Sequence, residues 1–528
     1  MSKIKSLILG SAAALAAFSG AQAADLPVKA KAVQYVKVCS LYGAGFYYIP
    51  GTDTCIKLGG YVQLDASINA GAHEKPAWDN GNNLGQQNRS SDYFVTRART
   101  QLNIDTRTAT EYGVVRSFWS SNFQHTSGDG PSSGVLTMDF GFVQFAGFTF
   151  GKAVSGFQTP WGANPVNLNT SNLLGGYDNS TGITQIAYTW QFGNGISAQL
   201  GVEDNRTINR AQLLNSSLTY SPGLGFTGTA GATAAASNAA ALAAISQGAW
   251  GNSYGGNVAP DVVANVRIDQ AAFTFQVAGA LHVVNGSYYA NGNPASGSSV
   301  LETSGNPETK VGGALSAGIQ LKNLPTGPGD KLSLDGTWSK GATKYVIGGT
   351  TGNNFDLFAG GSGGAYNTFA VAQMFDAVYG TGGPLELTTA WGFRGGYSHN
   401  WSPNWETTLF GSYSKIDYNT NASTGICASQ ARAVGGIVSS AGVASTQSAG
   451  FSCNPDFAIW QIGSRTAWTP VKNLTISGEV MYTTLDQSNV GSLNITQAAA
   501  MGGFKPAGVY EYKDQGTWSG NFRVRRTW

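Results

Sequence analysis

Residues 185–203 read Gln-Ile-Ala-Tyr-Thr-Trp-Gln-Phe-Gly-Asn-Gly-Ile-Ser-Ala-Gln-Leu-Gly-Val-Glu. Ile186, Tyr188, Trp190 and Phe192 share one side at period two, and Gln185, Ala187, Thr189 and Gln191 take the other. Gly193-Asn194-Gly195 then turns the chain, as a tight hairpin requires. Ile196, Ala198, Leu200 and Val202 continue the apolar side, opposite Ser197, Gln199 and Glu203. The stretch therefore predicts a β-hairpin with one apolar face and one polar face.

The same grammar recurs along the chain. Val262, Ala264, Val266 and Ile268 alternate with Asn265, Arg267 and Asp269. After a turn, Phe273, Phe275, Val277 and Leu281 alternate with Thr274, Gln276 and His282. Trp391, Phe393 and Tyr397 oppose Arg394 and Ser398, and the chain turns at Ser402-Pro403-Asn404 before Leu409 and Tyr413. Trp460 and Ile462 oppose Gln461 and Arg465, and a turn over 469–473 leads to Leu474, Ile476, Val480 and Tyr482. Aromatics beside short turns, as at Trp401 and Trp468, suit a membrane–water interface. Short turns alternate with long Gly-, Ser-, Asn- and Ala-rich segments at about 204–260, 285–310, 340–385 and 416–456. That alternation predicts an all-β fold, a transmembrane antiparallel β-barrel with short turns at one end and long external loops at the other. A soluble β-sandwich does not explain it. The Ala-rich run Ala230–Ala244 reads as a short helix within a loop.

Composition agrees. Charged residues make up 11% of the chain, against roughly 25% in ordinary soluble domains. Glycine is 72 of 528 residues, and Trp and Tyr number 13 and 22. The mean hydropathy of −0.12 is what alternation between lipid-facing and water-facing side chains produces. Lys3 and Lys5 precede a mostly apolar stretch, Leu7 to Phe18, and Ala21-Gln22-Ala23 fits the small-x-small pattern of a cleavage site. Residues 1–23 are thus expected to be a cleaved signal peptide, and 24–528 the barrel. The mature chain carries 29 basic and 29 acidic residues, which gives no support to nucleic-acid binding. Past the leader no run of 18 apolar residues occurs, which argues against transmembrane helices. Four cysteines in an exported chain suggest two disulfides. Sequence proximity pairs Cys39 with Cys55 and Cys427 with Cys453, with other pairings open. No CxxC occurs, and His73, His125, His282 and His399 are scattered, so no metal site or cofactor is expected. Gly360-Gly361-Ser362-Gly363-Gly364 matches Gly-x-Ser-x-Gly formally. Without a strand before it and a helix after it, it reads as a loop, and no enzyme is expected.

Residues 36–62, Val-Lys-Val-Cys-Ser-Leu-Tyr-Gly-Ala-Gly-Phe-Tyr-Tyr-Ile-Pro-Gly-Thr-Asp-Thr-Cys-Ile-Lys-Leu-Gly-Gly-Tyr-Val, resemble the N-terminal hallmark of the alphaproteobacterial (Rhizobiales) porins, those of Brucella among them. The signal peptide, the segment Phe145–Lys152 and the end Arg523-Val524-Arg525-Arg526-Thr527-Trp528 are similar too. The resemblance implies a 16-stranded barrel in the outer membrane of a Gram-negative bacterium, assembled as a homotrimer, with one long loop folded into each pore. It implies passive diffusion of small hydrophilic solutes and ions. The expected partners are outer-membrane lipid and lipopolysaccharide, and barrel-insertion machinery reading the terminal Trp528. Sixteen strands leave about 32 residues for each strand and its connection, room for long tilted strands. This chain is longer than typical family members, and it ends in Trp where they commonly end in Phe.

The resemblance places the infolded loop at about 153–183, through Trp161, Asn164, Asn167, Asn169, Asn172 and Asp178. From Asp92 to Arg107, Arg97, Arg99, Gln101, Asn103, Asp105 and Arg107 share a face, and Arg116 comes from the neighbouring strand. Each arginine turned to lipid near the midplane would cost ~2–4 kcal/mol, so this row is expected to face the lumen. Arg97, Arg99, Arg107, Arg116, Lys152 and Asp178 are the expected pore-lining residues. With one acid in the loop, the expected selectivity is weak and leans to anions. A substrate-specific sugar or anion channel, or an adhesin working through its loops, are the alternatives.

Overall fold

Asn194 and Gly195 take φ of 50° and 74°, the left-handed pair that a two-residue hairpin needs. Around this turn Gln185–Gln191 pairs antiparallel with Ser197–Glu203. The computed structural model describes residues 37–69, 92–162, 167–170, 173–178, 181–206, 208–217, 219–221, 225–227, 252–290, 301–348, 354–359, 366–436, 438–439, 442–443, 445–495 and 508–528. The expected signal peptide, the run Ala230–Ala244 and the glycines at 360–364 lie outside the described residues.

Among the described residues, sixteen strands form one closed antiparallel sheet. They are β1 Thr54–Ile68, β2 Phe94–Thr110, β3 Gly113–Thr126, β4 Val135–Phe145, β5 Phe148–Ala153, β6 Ile183–Gly193, β7 Ile196–Glu203 and β8 Asp261–Asp269. Then follow β9 Phe273–Val284, β10 Lys310–Lys322, β11 Lys331–Lys340, β12 Thr389–Ser402, β13 Trp405–Asp417, β14 Phe457–Val471, β15 Leu474–Gln487 and β16 Gln515–Thr527. Each strand pairs with the next. β16 closes the ring on β1, from Tyr61 opposite Thr527 to Ile68 opposite Gly520. Closure joins the first strand to the last and removes the two free margins that an open sheet would show to hydrocarbon.

The period-two pattern sets which side chains face out. In β9, Thr274, Gln276 and His282 are buried while Val277 and Leu281 are exposed. Val62, Leu200, Val266, Leu315, Leu334, Phe393, Leu409, Ile462, Val480 and Phe522 extend the exposed apolar band around the ring. A belt of that extent is not stable against water, and lipid satisfies it. At the short-turn end, Trp405 and Trp468 stack with ring centroids 5.8 Å apart. The last turn is shorter than expected: Val471 opposes Leu474 across Lys472-Asn473, and the register slips between Trp468 and Val471. Pro470 falls in that slip, where its missing N–H costs no ladder bond.

The long-loop end departs further. A five-stranded and a three-stranded sheet extend above the ring. A helix, α1 (Thr420–Gly436), occupies a segment read from sequence only as loop, and Asn419 caps it through Oδ1, accepting from Ala422 N–H at 2.8 Å. Inward-facing Ile416, Ile459 and Leu485 join Leu174, Leu214, Val346, Ile347, Phe375 and Ile426 in one apolar cluster. The upper lumen along β13 to β15 is therefore filled by loop residues.

Cys39 is bonded to Cys55, and Cys427 to Cys453 across 26 residues. Opening a loop of that size removes about 3 kcal/mol of constraint on the unfolded segment. Cys453→Ser, made together with Cys427→Ser, is expected to expose α1 to limited digestion by proteinase K while the barrel stays intact. Unchanged digestion kinetics would show that the cluster alone holds the helix.

Candidate functional site

The inner wall over β16, β1 and β2 carries the first part of the site. Asp65 stands directly opposite Arg97 on one side and Arg523 on the other. Its Oδ2 accepts from Arg97 Nη2 at 2.6 Å and its Oδ1 from Arg523 Nε at 2.6 Å. Arg97 and Asp65 are each 1% exposed, so this pair is a wall element and not an open pore charge. One row nearer the short turns, Arg99 donates to Gln124 at 2.6 Å and Arg525 to Gln63 at 2.6 Å. The Arg525 guanidinium lies 4.5 Å from the centre of the Tyr61 ring.

The connection between Ala153 and Ile183 supplies the second part. Glu203 roots it, accepting from Ser155 Oγ and Gly156 N–H. Asn265 donates to Gly156 O and Gln276 to Gln158 O, while Trp161 Nε1 donates to Asp335 at 3.0 Å. Arg394, paired with Asp335 at 2.9 Å, also donates to the carbonyls of Leu173 and Tyr177. Gln461 accepts from Leu174 N–H. Glu479 accepts from the N–H groups of Asn169 and Thr170 at 2.7 and 2.9 Å. Arg465 and Arg523 both reach Asn169, at its side-chain and backbone oxygens. Through its described residues the loop thus runs along the inside of the ring, bonded to wall residues from β7 to β16. Most of these bonds are buried, and a buried polar group left without its partner is costly.

Gly175 explains how closely the loop lies. Its φ is +98°, and a Cβ there would stand 2.6 Å from the carbonyl oxygens of both Phe393 and Tyr413. Gly176 bridges to Ile347, so the loop 341–388 meets this one inside the ring. Phe157, Tyr177 and Tyr345 pack together at that junction. Burial, with Asp261 close by, pushes the Tyr345 phenol well above its ordinary pKa, so it stays a protonated donor to Asp261 at 2.6 Å.

The residues singled out from sequence separate into three places. Arg97 and Arg99 stand on the wall beside the loop. Arg107 and Arg116 lie at the short-turn end, where both bond Asp105 at 2.9 and 3.0 Å and Arg107 sits over the Phe46 ring. Ten residues of strand separate Arg107 from Arg97, about 33 Å, so the two do not share one constriction. Lys152 donates to Met138 O at 2.6 Å, a contact within the wall. Asp178 is buried at the junction of the two infolded loops, beside Gly348. Asn164 and Asn172 lie outside the described residues. Sequence reading placed Arg394, Arg465 and Arg523 on strands but not in the site. The lipid-cost argument used for Arg97 applies equally to them. Among the described residues, His, Cys, Asp and Glu side chains do not gather in threes as a metal site needs.

A family model described as the Porin subfamily matches residues 25–521. Porin Omp2b of Brucella suis is 37% identical over 213 residues, covering 38% of this chain and 52% of that protein. Porin Omp2b of Brucella canis is 37% identical over 215 residues, covering 38% and 54%. The chain spans about half the length of the curated relatives it matches. Among solved structures, the outer membrane channel DcaP of Acinetobacter baumannii aligns over 91% of this chain and 99% of its own, with TM-score 0.54 and 14% identity. That likeness concerns the fold.

Proposed function

The chain belongs to the Porin subfamily, and from that premise we propose that it forms an outer-membrane channel for passive diffusion of small hydrophilic solutes and ions. The observation that carries this reading is the loop 154–182, bonded along the inside of a closed ring by Arg394, Gln461 and Glu479. A loop held so firmly fixes the cross-section open to solutes, and the charges beside it act at close range.

We place the selective region on the wall facing that loop, with Arg99, Arg465, Arg523 and Arg525 in contact with passing ions. Asp65 offsets only one of Arg97 and Arg523, while Glu406 pairs with Arg465 at 3.0 Å. The arginines outnumber the carboxylates there, which supports a modest preference for anions. Arg107 and Arg116 belong to the periplasmic vestibule on this reading, and Lys152 and Asp178 hold structure. Removal of residues 1–23, assembly as a homotrimer, contact with outer-membrane lipid and lipopolysaccharide, and recognition of Trp528 during insertion complete the proposal. Trp528 is 54% exposed at the end of β16, accessible to such a reader.

The reversal potential of the purified protein in a planar bilayer under a KCl gradient tests the selectivity. The expected sign is that of chloride preference. Potassium preference would overturn it, and an inserted protein that left the bilayer sealed would overturn the channel itself.

A further inference from the structure

Between the infolded loop and the short turns of β12–β13 and β14–β15 lies a cavity of about 340 Å³. Arg465, Arg523 and Arg525 line it, with Glu406 as its lining carboxylate and Asn167, Thr475 and Ser477 among its polar groups. We propose that this cavity is a saturable binding site for a compact dianion, its charge carried on carboxylate or phosphate oxygens. The proposal rests on the channel reading and gives it a substrate class.

The lining holds three guanidinium groups against one carboxylate, and that carboxylate is engaged on both oxygens. Glu406 accepts from Arg465 Nη1 at 3.0 Å and from Asn167 Nδ2 at 2.7 Å. Just outside the lining, Asp65 is shared between Arg523 and Arg97 at 2.6 Å each, and Glu479, which faces the loop backbone, bears on Arg465. Four guanidinium groups thus stand against three carboxylates, and the positive excess falls to Arg525, which draws an anion into the cavity.

The arginines are also oriented. Among the described residues Arg525 hydrogen-bonds through Nε, to Gln63, and its plane is held against Tyr61. Its two terminal nitrogens then present the fork that binds carboxylate or phosphate oxygens in pairs. Arg465 uses Nε on Asn169 and Nη1 on Glu406, which fixes its plane as well. Arg523 and Arg525 are two residues apart on the same face of β16, so the two side chains are rooted about 7 Å apart. That spacing suits the two ends of a short dicarboxylate, or one phosphate reached from both sides. A diffuse field needs none of this positioning. A cavity of this volume holds such an ion with hydroxyl groups around it.

Planar-bilayer chloride currents through the full mature protein, with succinate, hydrogen phosphate, acetate or glucose added, test the site. Succinate or phosphate is expected to reduce the current saturably, at concentrations roughly tenfold below acetate, with glucose inert. The relative potency of the two dianions tells which oxygen chemistry the site prefers. Arg525→Gln is expected to raise the half-blocking concentration about tenfold. Arg525→Lys, which keeps the charge and loses the fork, is expected to weaken block nearly as much, whereas a field effect alone would leave it unchanged. Arg526→Gln, at an exposed residue bonded to Lys472 O, is the control expected to block as the unaltered protein does. Dianions acting no better than acetate, or Arg525→Lys blocking normally, would overturn the site while leaving the channel standing. A protein that opened no channel in KCl would overturn both.

Discussion

Gly175→Val is expected to widen the pore, raising single-channel conductance and admitting larger sugars in liposome-swelling assays. The loop passes Phe393 and Tyr413 so closely that a Cβ would stand 2.6 Å from two carbonyl oxygens. Both belong to β12 and β13, whose backbones are paired along their lengths and cannot retreat. Valine also resists the φ of +98° that Gly175 holds, at a cost of ~1–3 kcal/mol before any clash. The sum is enough to shift the ratio of released to seated loop by roughly 10- to 100-fold. Release would break the bonds that Arg394 makes to Leu173 and Tyr177 and that Gln461 makes to Leu174. The ring itself does not depend on them. Conductance equal to that of the unaltered protein would show that this segment does not define the narrowest point.

Ile462→Arg is expected to destabilise the folded barrel by ~2–4 kcal/mol. Ile462 lies well inside β14 and is 58% exposed on the outer face, diagonal to Leu409 and Val480 in the apolar band. An arginine there must carry its charge into hydrocarbon or distort the bilayer around it. The same strand already holds Arg465 three residues on, turned inward and bonded to Asn169 and Glu406. One strand thus accepts or rejects the same side chain according to parity alone. Urea-induced unfolding in lipid vesicles measures the loss. A change below about 0.5 kcal/mol would show that this face does not meet lipid, since surface substitutions typically fall in that range.

The parity of these strands was plain in the sequence because their two sides meet two solvents. Gln185 and Ile186, or Gln461 and Ile462, differ in polarity for that reason. The pattern weakens where loops replace water. Phe457-Ala458-Ile459-Trp460 is continuously apolar since Ile459 packs into the cluster over the mouth, and such runs mark strands covered on both faces. The depth of Arg107 and Arg116 was also within reach: both lie within five residues of the turn at 111–112, so counting rise per residue puts them at the rim. What no local pattern carries is the seating of the loop. Glu479 is inward by parity, but the N–H groups it accepts are 309 and 310 residues earlier in the chain. Asp178 meets Gly348 through a loop–loop junction of the same long-range kind.

The seam between β1 and β16 joins nearly the first described strand to the last, with Asp65 opposite Arg523. A contact order this high makes closure slow, and until it happens the nascent sheet has two bare margins. The closing strand also brings Arg523 to the carbonyl of Asn169. The final zipper of the wall and the docking of the inner loop are therefore coupled in time, and an unsealed intermediate cannot yet have its finished bore.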